Sequence, residues 1–75
     1  MNANDRKELQ GYLDQLDEIA NAIREMADRE QEKFDNLPEG LQESERGESI
    51  SDAIDTLTEL ADDIENVIDN ANELV

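Results

Sequence analysis

A chain of 75 residues with 22 acidic and 6 basic side chains, a formal net charge of −16 and neither cysteine nor histidine is at most one small domain. Those absences exclude disulfide staples, thiolate or imidazole metal sites and most nucleophile–base pairs, and the charge disfavours nucleic acid and anionic membrane surfaces as direct partners. Low apolar content with high net charge also borders on the composition of disordered chains, so the order of the apolar residues has to decide whether the chain folds.

The first element is legible from spacing. Leu9, Tyr12, Leu13, Leu16, Ile19, Ala20, Ile23, Met26 and Ala27 recur in steps of three, one and three, so that three positions in seven are apolar. This is the stripe of a bundle helix, wider than a two-stranded seam. The spacing predicts a helix over about residues 5–35, with Asp5 and Glu8 as a capping box. Gly11 lies inside it, at a cost of about 1 kcal/mol against alanine; it is either merely tolerated or leaves room for a second backbone. Tyr12 falls on the stripe and is expected to pack.

The stretch "FDNLPEGLQESERGE" follows, with Asn36, Pro38, Gly40 and Gly47 as breakers. A turn is expected over about residues 36–44, with Leu37 and Leu41 plugging the end of a bundle. The second helix is expected over about 45–74, capped by Ser44 or by Ser49 with Asp52. Its stripe is Ile50, Ala53, Ile54, Leu57, Leu60, Ala61, Ile64, Val67, Ile68, Ala71, Leu74 and Val75. Nothing reads as a strand, and no apolar run approaches the roughly 20 residues of a membrane helix. The start of the chain lacks the apolar core of a signal peptide, so a cytoplasmic protein is expected.

Two helices of similar length joined by a short connection give an all-α antiparallel hairpin. Two rods touching along one line leave much of a three-in-seven stripe in water. The hairpin is therefore expected to pair as a homodimeric four-helix bundle. Leu9, Tyr12, Leu16, Ile19, Ile23 and Met26 on the first helix form the expected core and dimer stripe, with Ile50, Leu57, Leu60, Ile64, Val67 and Ile68 on the second.

The acidic residues of the second helix are patterned as well. Asp52, Asp55, Glu59, Asp62, Asn66, Asp69 and Glu73 recur every three or four residues opposite the stripe, all but Asn66 acidic, and Asp63 and Glu65 widen the ridge. A solvated face that keeps the chain soluble is the plain explanation. Local energetics oppose it, because Asp55–Glu59, Glu59–Asp63, Glu65–Asp69 and Asp69–Glu73 are like charges four apart, each unfavourable by roughly 0.2–0.5 kcal/mol. No lysine or arginine follows Arg46. The first helix, by contrast, mixes signs, with Arg24–Asp28 and Glu25–Arg29 as expected four-apart pairs. A positively charged partner would account for a helix that tolerates such repulsion.

No cofactor or metal is implied. "DNLPEGLQESER" fails as a calcium loop, because Leu37 and Arg46 stand where oxygen ligands are needed. Carboxylate catalysis needs a cleft with contrasting environments, and none can be read, so no enzyme is expected.

The segment from Lys33 to Glu48, "KFDNLPEGLQESERGE", resembles part of a group of short uncharacterised proteins encoded by bacteriophages and prophages. In these an acidic helix precedes a DN-x-PE-x-LQ-x-SERG turn, and a second acidic helix with an alanine, leucine and isoleucine stripe follows. The likeness is specific from Phe34 to Gly47 and extends through both helices as a pattern of charge and apolarity. It brings no catalytic or binding residues with it. It implies a phage origin and the cytoplasm of a bacterial host. Phages encode many small acidic proteins that block host nucleic-acid-binding factors, often by presenting DNA-like charge. The expected function is thus an inhibitor that offers its acidic ridge to the basic groove of a defence or nucleic-acid-processing protein. The alternative is a structural or chaperone-like accessory that docks through its apolar stripe.

Overall fold

The computed structural model describes residues 1–75. It is all-helical: α1 (Ala3–Asp35), α2 (Glu45–Ala71) and a closing 3-10 turn, Asn72–Leu74. The two helices pack antiparallel as a thin rod, with Cα extents of 58 × 15 × 11 Å.

α1 starts earlier than its apolar spacing suggests. Asn2 caps it, its Oδ1 accepting from the Asp5 backbone N–H at 2.7 Å. Asp5 is therefore inside the first turn, and the expected Asp5–Glu8 capping box does not form. A capping side chain serves backbone N–H groups in the turn that follows it, and Asn2 does so before Asp5 can. The helix ends at Asp35 as expected, closed by the Asn36 N–H donating to Glu32 O at 3.0 Å and the Leu37 N–H donating to Phe34 O at 3.1 Å.

Ser44 caps α2, with its Oγ accepting from Gly47 N–H at 3.4 Å. Ser49 lies within α2, so the alternative Ser49–Asp52 cap is not used. Gly47, expected as a breaker, instead occupies the first turn of α2 and is buried. A Cβ there would lie 2.5 Å from the Gln42 carbonyl carbon and 2.7 Å from Leu41 O. The glycine lets the connection fold flat against the start of the helix. The connection reverses in a β-turn, Leu41 N–H bonding to Pro38 O at 3.0 Å. Gly40 takes the left-handed conformation there, at φ 91°, which a type II turn requires of its third residue. Gln42 Nε2 ties the loop back to Phe34 O at 3.2 Å. Leu37 is half-buried as an end plug, but Leu41 is 44% exposed and does not close the end.

The core is a single line of contact. Leu13, Ala20 and Ala27, seven apart on α1, are buried, as is Ala61 on α2. Alanine at three of these four positions permits a narrow approach of the helices. Leu9, Leu16, Ile23, Ile50, Leu57, Ile64 and Ile68 are only half-buried beside it. No large side chain is fully buried anywhere. Tyr12, Ile19, Met26, Leu60 and Val67, all expected in the stripe, are exposed by 44–54%. A second helix can cover only one flank of a three-in-seven stripe, and here it covers the other one.

Candidate partner-binding surfaces

Arg24 bridges the two helices of the hairpin. Its Nη2 lies 2.7 Å from Asp62 Oδ1 and 2.9 Å from Glu65 Oε2, and its Nε donates to Glu65 Oε1 at 3.2 Å. These bonds, to Glu65 first and Asp62 second, hold the guanidinium further into its charged range. The expected Arg24–Asp28 and Glu25–Arg29 pairs are not formed; Lys33–Glu30 is the ion pair within α1, at 2.8 Å. Arg24 sits at the helix–helix seam, where two carboxylates of α2 prevail over one on its own helix. Sequence spacing along one helix could not reveal this cross-helix partner.

The register places the two flanks of the seam. Arg24 lies four residues after buried Ala20, and Glu65 four after buried Ala61, so these positions meet on one side. Tyr12, Ile19 and Met26 each precede a buried residue of α1 by one. On α2 Leu60 likewise precedes buried Ala61 by one and Val67 precedes half-buried Ile68, and Leu74 of the closing 3-10 turn continues the same seven-residue spacing. They therefore share the opposite flank, and the register sets them level in pairs: Tyr12 with Leu74, Ile19 with Val67, Met26 with Leu60. This flank is an apolar strip in water. At its outer end Tyr12 donates its hydroxyl to Glu8 Oε1 at 2.7 Å. That bond, and secondarily the Glu8 charge, raise the phenol above its ordinary value of 10.0.

The acidic surface lies on the back of α2. Asp52, Asp55, Glu59, Asp62, Asp69 and Glu73 line the side away from the seam, all exposed. Asp63 borders the apolar flank and Glu65 the Arg24 flank, so the two widen the ridge in opposite directions. Arg24 partly neutralises Asp62 and Glu65; the other six predicted residues have no basic partner within the chain. Glu45 and Glu48 extend the ridge toward the loop, which the acidic spacing read from Asp52 onward left out. They occupy the first turn of α2, where the helix dipole favours anions. The last turn of α2 contains no basic residue, and there the same dipole opposes Asp69 and Glu73.

No three acidic side chains converge in a way that could hold a metal ion. The one concavity is a shallow groove along the exposed end of α1, lined by Met1, Asp5, Glu8, Leu9 and Tyr12. The surface presents charge in a line and does not enclose a small molecule. No helix is long and apolar enough to cross a membrane. No protein-family model, curated protein or solved structure matches the chain.

Proposed function

We propose that this chain is a protein-binding inhibitor that sets the back of α2 into the basic groove of a nucleic-acid-binding protein. The observation that carries the proposal is the row Asp52, Asp55, Glu59, Asp69 and Glu73, exposed and without internal cations on a helix whose own stability the row lowers. One carboxylate per helical turn is about one per 5 Å, against one phosphate per about 3.4 Å along a DNA strand. A groove lined by lysine and arginine meets a comparable line of anions. The resemblance to phage and prophage proteins supports a bacterial host cell as the setting and a defence or DNA-processing factor as the target. The chain acts by occupying a site, without catalysis or cofactor.

The exposed apolar flank supports a second reading, an accessory protein that docks on a partner helix through Ile19, Met26, Leu60 and Val67. Salt separates the two. Raising NaCl from about 0.1 M to about 1 M shortens the screening length from about 10 Å to about 3 Å and weakens a charge-driven complex. The test is affinity capture from bacterial lysate with a salt-step elution and mass spectrometry. A variant carrying Asp52→Asn, Asp55→Asn, Glu59→Gln and Asp69→Asn runs in parallel. Inhibitor action predicts basic nucleic-acid-binding proteins in the salt eluate of the parent and their loss from the variant. Capture that survives both salt and substitution would overturn it in favour of the accessory reading.

A further inference from the structure

The apolar flank has three properties that together specify its occupant. The first is size. A folded monomer of 8.5 kDa is expected to expose about 4,700 Å², whereas this chain exposes 5615 Å². The excess, about 900 Å² over the whole rod, is of the order of the about 800 Å² that each partner contributes to an interface of standard size, so a standard interface along the flank would bring the chain to the exposure of an ordinary monomer. The second is composition. Six large apolar residues line the flank in level pairs, with exposures between 44% and 55%. Such a flat, two-row strip can stack on a copy of itself without a complementary shape having to be supplied from elsewhere.

The third is charge, and it selects a second copy over an unrelated protein. The chain has a net charge of −16, so any close approach of two copies must avoid opposing their acids. The rim of the flank does so. Beside Ile19 and Met26 on α1 stand Gln15, Ala22 and Arg29; beside Leu60 and Val67 on α2 and Leu74 in the closing turn stand Thr56 and Asn70. The acids that do border it are Asp63, Glu30, which pairs with Lys33 at 2.8 Å, and at the outer end Asp5 and Glu8, of which Glu8 accepts from the Tyr12 hydroxyl. The back of α2, by contrast, holds an acid at almost every turn. A surface meant for a cationic partner gains from acids on its rim; one meant for a like-charged copy gains from their removal.

The geometry points to homodimerisation through this flank: Tyr12, Ile19, Met26, Leu60, Val67 and Leu74 pack against the same residues of a second copy to complete a four-helix bundle. Both acidic ridges then face outward, available at the same time. Dimerisation does not depend on the inhibitor reading, and salt moves the two in opposite directions. Screening strengthens the association of like-charged copies and weakens the grip on a cationic groove.

Sedimentation equilibrium over protein concentration, at about 0.05 M and about 0.5 M NaCl, tests it. The parent chain is expected to be a dimer that tightens with salt. Val67→Asp puts a carboxylate into the centre of the flank and should raise the dimer dissociation constant at least about 100-fold. Asp55→Asn, on the back of α2, should leave it unchanged or slightly tightened. Circular dichroism of each variant at high concentration reports whether the helices persist. Should Val67→Asp unfold, Ile19→Gln and Leu60→Gln, each milder, take its place with the same expected direction. A monomer at every concentration and salt, or a dimer indifferent to Val67, Ile19 and Leu60, would overturn the proposal.

Discussion

A methyl group added at Gly47 would meet the Leu41–Gln42 backbone at less than van der Waals distance, whereas one added at Gly11 would meet nothing within 4 Å. Gly47→Ala must push the loop off the start of α2 and is expected to destabilise the fold by about 1–3 kcal/mol. Gly11→Ala sits on an open helix face and should stabilise by about 0.5–1 kcal/mol. Urea denaturation of the two variants beside the parent checks both signs; a neutral Gly47→Ala would mean that the loop does not lie against the helix. The sequence reads Gly11 as lying inside a helix and Gly47 as a breaker but cannot rank what each tolerates, because the difference arises from a backbone that only the folded loop brings close. The exposure of Tyr12 escapes the sequence for a related reason. A three-in-seven stripe identifies the apolar side of a helix, but one partner helix covers either of its flanks, and the choice depends on register.

At the scale of the helix, the apolar period, the α1 stop at Asn36 and the two-helix topology are all legible in the sequence, because each follows from repeated or strongly punctuating residues. Caps and ion pairs are less so. Several side chains near each end are able to cap, and the one that acts depends on where the first turn closes; Asn2 and Ser44 act here. Arg24 has an attractive neighbour on its own helix and two better ones across the seam. The spacing of the acids puts their ridge on the outside of α2, where the structure has it, but does not extend it into Glu45 and Glu48. If α2 sacrifices stability for a charged surface, relieving that charge should stabilise it. Asp69→Lys removes two like-charge pairs four residues apart and sets a cation near the helix C-terminus. It should stabilise the fold by about 0.5–1 kcal/mol, which in a domain of this size raises Tm by roughly 2–8 °C. Thermal unfolding followed by circular dichroism measures it. A drop in Tm would mean that Asp69 already contributes to stability and that its side of α2 is not strained by repulsion.

The whole molecule is a rod with three lengthwise surfaces: a seam, an apolar flank and an acidic back. The seam holds the hairpin through a narrow core, and five residues of the chain are buried. That modest core leaves the flank uncovered, where the proposed second copy would pack, and the acids exposed on the back of α2, where the proposed cationic groove would meet them. The separation of these surfaces is the central claim, since a dimer face and an inhibitor face coexist only if they do not overlap. Backbone-amide NMR tests it in one series of spectra, first on dilution of the chain and then on addition of an oligo-arginine peptide. Dilution is expected to shift amides around Ile19, Met26, Leu60 and Val67, and the peptide those around Asp52, Asp55, Glu59 and Asp69, with little in common. Shifts from both titrations falling on the same residues, or peptide-induced shifts spread evenly over α1 and α2, would contradict it.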